Sequence, residues 1–152
     1  MSTYTAKITW KSDSPETFTK NRYSRGHEWE FDGGVTVPAS SSPQVVSRFS
    51  VEAAVDPEEA LVAAASSCHM LSFLWVASKA GFTVESYEDN AVGEMANDNG
   101  RQWISTITLD PQIVWSGKIP TAEELCELHH EAHEVCYIAN SIKSEVLIKP
   151  RP

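Results

Sequence analysis

The chain has 152 residues, enough for one domain to bury a core without disulfide or metal staples. A hydrophobic fraction of 41% and a charged fraction of 22% lie near globular averages, which excludes a disordered chain. The formal net charge of −9 repels polyanions and argues against general binding to nucleic acid or anionic lipid.

The polar start Ser2-Thr3-Tyr4-Thr5 lacks the basic and apolar parts of a signal peptide. No apolar run is read as approaching the roughly 20 residues of a membrane span, so the expectation is a cytoplasmic protein with no membrane partner. There, three cysteines do not make a disulfide framework and point instead to thiol chemistry, metal binding or simple burial.

In chain order, Tyr4 to Trp10 alternates like a strand, and Glu28 to Phe31, Asp32-Gly33-Gly34 and Val35 to Val37 read as a hairpin. The stretch Val37 to Pro43 reads as a surface loop. Asp56-Pro57-Glu58-Glu59 then supplies an N-cap, a proline at the first helical position and a capping glutamate, while Gly81 supplies a stop. The helix between them, apolar nearly all round from Ala60 to Ala80, reads as a buried central helix. Two long strands, Phe82 to Met95 and Gln102 to Trp115, flank the turn Asn97-Asp98-Asn99-Gly100 and pair as a hairpin. Thr121-Ala122-Glu123-Glu124 is a second capping box opening a helix to about Val135, and Ser144 to Ile148 ends the pattern as a strand. The order β-β-β-α-β-β-α-β, without regular βαβ alternation, predicts an α+β fold. With no internal repeat or linker, one domain over 1–152 is expected.

Two cysteines stand out. Cys68 lies inside the central helix among Ala63-Ala64-Ala65-Ser66-Ser67, where an unpaired cysteine can also be a small hydrophobe. Cys136 lies where the second helix gives way to Tyr137-Ile138-Ala139-Asn140, and a thiol at a helix exit moves more easily than one in mid-helix. That asymmetry suits a fixed nucleophile with a mobile partner that attacks the oxidised sulfur. Cys126, beside charged neighbours early in the second helix, reads as incidental.

Asp56-Pro57-Glu58-Glu59, Cys68 ten residues after Glu58, the ending Gly81-Phe82, and Cys136 at the end of the second helix together resemble the osmotically inducible protein C and organic hydroperoxide resistance family. The resemblance covers nearly the whole chain. It implies an intertwined homodimer in which each subunit packs a sheet around a central helix. It also implies reduction of organic hydroperoxides, with Cys68 peroxidatic, Cys136 resolving, Glu58 and a strand-region arginine in support, no cofactor, and a dithiol reductant such as a lipoylated protein. His69 and Tyr137 depart from the family pattern, where an apolar residue and a proline are usual, and mark a divergent branch.

The chemistry explains the set. Thiolate, not thiol, attacks a peroxide oxygen, so the nucleophile needs a neighbouring cation. A guanidinium stays charged when dehydrated, and its planar fork can hold a sulfur and a carboxylate together. By the resemblance, Arg25 is favoured for that role over Arg22, because its spacing to the Asp32-Gly33-Gly34 turn looks closer to that of the family's arginine. Ten helical residues separate Glu58 from Cys68 by about 15 Å along one straight axis, beyond side-chain contact. If two copies of the helix crossed antiparallel near Ala63 to Ser66, Glu58 of one subunit would approach Cys68 of the other, making the site composite.

Two rival readings remain at this level. His129 and His133, at i and i+4 with Cys136 following, could hold a metal, though no HExxH pattern is completed. Alternatively, the fold could bind a small apolar ligand without catalysis, with Trp29, Phe73 and Trp75 lining the pocket.

Overall fold

A computed structural model of the chain describes residues 2–151. The chain forms two compact units, residues 1–60 and 61–152.

In the first unit, strands β1 (Ala6–Thr9), β2 (His27–Phe31) and β3 (Thr36–Ala39) form an antiparallel sheet in that order. The hairpin read around Asp32 is present as the β2–β3 pair, with Trp29 opposite Val37. Pro38 pairs opposite Glu28 in β3, which is tolerable because β3 is an edge strand and needs no outward N–H donor. Between β1 and β2 lies a short helix α1 (Pro15–Thr19) that the strand pattern does not announce, capped by Ser14, whose Oγ accepts from the Thr17 N–H. Trp10, Phe18 and Tyr23 cluster beside it with ring centroids 5.0 to 5.8 Å apart, and Trp10 Nε1 donates to the Ser24 carbonyl at 2.9 Å. Buried Ser40 accepts from the Val51 N–H and donates its own N–H to the Val55 carbonyl, carrying the chain alongside β3 to Asp56.

Helix α2 (Pro57–Lys79) has its first turn in the first unit and the rest in the second. Its start is the capping box read from the sequence: Asp56 Oδ1 accepts from the Glu59 N–H at 2.7 Å, and Glu59 Oε2 accepts from the Asp56 N–H at 3.2 Å. Its end is a Schellman turn, with Gly81 at φ +83, the Gly81 N–H on the Ser78 carbonyl and the Phe82 N–H on the Ala77 carbonyl.

The second unit differs from the sequence expectation in its strands. Each long strand is broken in two, giving β4 (Thr83–Asp89), β5 (Val92–Asp98), β6 (Arg101–Leu109) and β7 (Pro111–Ser116). The hairpin pairing survives, since β5 pairs β6 and β4 pairs β7, both antiparallel. The break falls at Asp110-Pro111, where proline has no N–H for the ladder and the Asp110 N–H turns to Asp89 Oδ1 at 2.7 Å. Helix α3 (Ala122–Glu134) opens on the Thr121–Glu124 capping box as read, and β8 (Glu145–Ile148) adds to β6 in parallel, so the sheet is not wholly antiparallel.

Two apolar clusters organise this unit. One joins Phe73, Val76 and Ala77 of α2 with Leu125, Leu128 and Ala132 of α3 over β4 and β7. The other joins Leu61, Val62 and Ala65 of α2 with Ile104, Ile107 and Leu109 of β6 and with β8. Helix α2 is therefore buried along one stripe, Ala65, His69, Phe73 and Val76–Ala77, at helical spacing. Its other side is open in the single chain, with Leu71 62% and Trp75 56% exposed, so the single chain does not bury it all round. An 18-residue stretch of α2 has a mean hydropathy of 1.6, long and apolar enough by composition to cross a membrane, which corrects the reading that no such run exists.

Candidate active site

Two of the residues picked from the sequence are brought together. Cys68 faces inward from the middle of α2, half-buried, and its Sγ accepts a hydrogen bond from the Ile138 N–H at 3.5 Å. Cys136 follows the last turn of α3, with its N–H on the His133 carbonyl and its carbonyl accepting from Asn140 N–H as the chain enters a 3₁₀ turn, Ala139–Ser141. Its side chain is buried. Burial pushes the Cys136 thiol up to about 11; the Ala139 N–H opposes this, Cys68 beside it adds to it, and the Ile138 N–H opposes it. The Ile138 N–H that donates to Cys68 thus lies beside the Cys136 thiol as well.

The helix exit is what makes this convergence geometrically available. After Val135 closes α3, the turn of Ala139–Ser141 folds Ile138 back so that its side chain joins the Ala65 cluster while its amide faces Cys68. Two residues before Cys68, Ser66 Oγ donates to Asp89 Oδ2 at 2.5 Å. Asp89 also receives the Asp110 N–H, so one carboxylate ties this turn of α2 to the corner between β6 and β7.

The other two candidates belong to the first unit. Glu58 is half-buried in the first turn of α2, and among the described residues its carboxylate has no ion-pair partner. Arg25 is half-buried in the segment before β2, where its guanidinium donates to Asn21 Oδ1 at 2.8 Å and lies 3.7 Å over the Tyr23 ring. The Arg25–Glu58 ion pair that the resemblance implies is absent among the described residues. Cys126 is exposed on α3, as an incidental cysteine would be.

Sequence reasoning missed the pairing of His69. Its side chain is 0% exposed, and its Nε2 is hydrogen-bonded to Nδ1 of His129 at 3.0 Å, with the two rings nearly parallel. His129 in turn stacks on Phe73 with centroids 4.3 Å apart. Burial lowers His69 to about 4, with His133 acting in the same direction and Asp89 opposing; burial and His69 likewise lower His129 to about 4. Both rings are therefore neutral at pH 7. The signal was two histidines on apolar helix faces, which spacing within one helix could not connect.

The rival arrangements do not assemble. His129 Nδ1 is engaged by His69, and among the described residues no three His, Cys, Asp or Glu side chains converge as metal ligands would, so His129, His133 and Cys136 do not form a common donor set. Phe73 lies fully in the core while Trp75 is exposed beneath the Lys79 ammonium, so these two do not line one pocket.

Comparison with known proteins agrees with the resemblance. The family model described as OsmC-like protein matches residues 50–151. The solved structure of an OsmC-like protein of unknown function from Vibrio cholerae is 53% identical, with a TM-score of 0.92 over 98% of this chain and 99% of that one. An organic hydroperoxide resistance protein from Elizabethkingia anophelis matches at 18% identity and a TM-score of 0.71, over 98% and 94% of the two chains. An organic hydroperoxide resistance protein OsmC from Legionella pneumophila matches at 17% and 0.64, over 98% and 96%. No curated protein matches. With the α+β fold shared throughout and the family model covering most of its length, the chain belongs to the OsmC-like family.

Proposed function

We propose that this protein is a cysteine-based peroxidase that reduces organic hydroperoxides to alcohols. The observation that supports the reading is that Cys68, held by the Ile138 N–H just after Cys136 in the chain, is the neighbour acting on the buried Cys136 thiol. Cys68, as thiolate, attacks the outer peroxide oxygen and breaks the O–O bond; the alcohol leaves after taking up a proton, and the sulfur becomes a sulfenate. After protonation to sulfenic acid, it condenses with the Cys136 thiol; the S–S bond forms and the oxygen departs as water. Cys136 is suited to wait as a thiol, since burial keeps it protonated near neutral pH. A dithiol, such as that of a lipoylated protein, reduces the disulfide and returns both thiols.

The same reading includes a cytoplasmic homodimer. The apolar side of α2 carrying Leu71 and Trp75 is open in the single chain and would be covered by a second copy, with Arg25 and Glu58 completing the site as the family resemblance implies. Peroxide consumption with a dithiol is the test, comparing wild type with Cys68→Ser and Cys136→Ser. Cys68→Ser should fall to background, whereas Cys136→Ser should fail to form the intramolecular disulfide. If Cys68→Ser consumed cumene hydroperoxide at the wild-type rate, the enzymatic reading would fail.

A further inference from the structure

The first unit contains a cleft of about 650 Å³ lined by Lys20, Asn21, Arg22, Arg25, Val46, Arg48 and Phe49. Four of the chain's 12 lysines and arginines meet there, with no carboxylate in the lining, on a chain of formal net charge −9. Repulsion among like charges opposes such a grouping unless something offsets it. Lys20 is partly offset by Glu16, whose carboxylate it meets at 2.5 Å in an exposed pair. Arg25 is held by Asn21 and stacked on Tyr23. Among the described residues, the guanidinium groups of Arg22 and Arg48 have neither a hydrogen-bond nor an ion-pair partner.

The backbone of this cleft is also unusual. Asn21 and Phe49 have φ of +55 and +65, and the third described non-glycine residue with positive φ, Asn99, sits in a hairpin turn. A bulky aromatic residue in the left-handed region is strained, and such strain persists where the surroundings hold it and gathers at ligand sites. Here the Phe49 carbonyl accepts the Arg25 N–H at 2.7 Å, which fixes segment 46–49 against segment 20–25 and brings the cations together.

We propose that this cleft binds a small organic oxyanion, carboxylate or phosphate, whose charge is met by the unpaired guanidinium groups of Arg22 and Arg48 and whose apolar body rests on Phe49 and Val46. Guanidinium forks suit both oxyanions, because each offers paired oxygens at the spacing of two parallel N–H donors. Whether the chain reduces peroxides does not enter, since the readout is binding.

The test is calorimetric titration of the full chain at low ionic strength with phenyl phosphate, benzoate, inorganic phosphate and, as the uncharged control, benzyl alcohol. Saturable binding of phenyl phosphate or benzoate is expected, weakened by added salt, with no saturation by benzyl alcohol. The tighter of the two organic anions identifies the source, and inorganic phosphate separates the charge from the apolar contact. Arg48→Ala should weaken binding about tenfold, as loss of a charge-assisted hydrogen bond does, and Arg48→Lys by less. Thermal melts check that both variants fold; because Arg48→Lys keeps the charge and length, it tests the site even if the alanine variant is destabilised. Amide shifts confined to segments 20–25 and 46–49 would locate the ligand. No saturable binding of any anion, equal binding of benzyl alcohol, or unchanged affinity in both Arg48 variants would overturn the assignment.

Discussion

Acid should unfold this protein through the buried imidazole pair before it titrates most of the carboxylates. His69 and His129 are lowered to about 4, against an ordinary value of 6.5, chiefly by burial. The folded values lie below the unfolded ones, so the unfolded chain takes up protons first as the pH falls. Stability is therefore complete above about pH 6.5 and drains away down to about pH 4. Each ring accounts for about 2 kcal/mol by about pH 5 and about 3 kcal/mol once the pH has passed its folded value. The two are not independent, because a proton on either ring acts on the other through their shared hydrogen bond.

Urea unfolding at constant ionic strength across that range gives the assay, the midpoint being read at each pH. His69→Leu alone should be destabilising at neutral pH, because it strips the partner from a buried His129 nitrogen. His69→Leu with His129→Leu removes both polar groups, so most of the acid dependence between about pH 6.5 and 4 should vanish with them. A wild-type midpoint that is flat from pH 7 to 5, or a double variant with the wild-type slope, would refute the argument.

Other expectations follow from single contacts. One equivalent of alkyl hydroperoxide should remove both the Cys68 and Cys136 thiols as a disulfide detectable by peptide mass mapping, while Cys126 stays titratable. Gly93→Ala should cost about 1–3 kcal/mol in denaturant unfolding, because a Cβ there would lie 2.6 Å from Val62 Cγ2, a side chain that a helix holds in one rotamer. Thr121→Ala should cost about 1 kcal/mol, since it removes the oxygen that caps the Glu124 N–H at the start of α3. Asp89→Ala, which frees both Ser66 and the Asp110 N–H, should lower stability by about 2 kcal/mol and loosen the turn carrying Cys68, seen as faster thiol labelling.

Much of the architecture was legible because its signals are local. Asp56 with Glu59, Thr121 with Glu124, and the glycine at position 81 act within four residues of themselves, so helix starts and stops follow from neighbouring atoms. The two hairpins are legible for the same reason, their turns lying between the strands they join. Choosing Cys68 and Cys136 was a matter of residue type and helix position. That the Ile138 amide would meet Cys68 beside Cys136 was not, because it depends on how α3 and the turn after it pack on α2, some 70 residues away in sequence.

Tertiary structure alone decided the rest. The corner at Asp110-Pro111 needs the carboxylate of Asp89, the union of β8 with β6 needs the whole intervening chain, and the His69–His129 bond spans 60 residues. Burial of α2 was overestimated because a uniformly apolar sequence does not say which face meets a neighbour; that is settled by where sheet and helix stop and the single chain ends its coverage. Periodicity and caps specify a segment's conformation, whereas the chemistry of a thiol or an imidazole is set by groups brought beside it from elsewhere, which only the folded chain supplies.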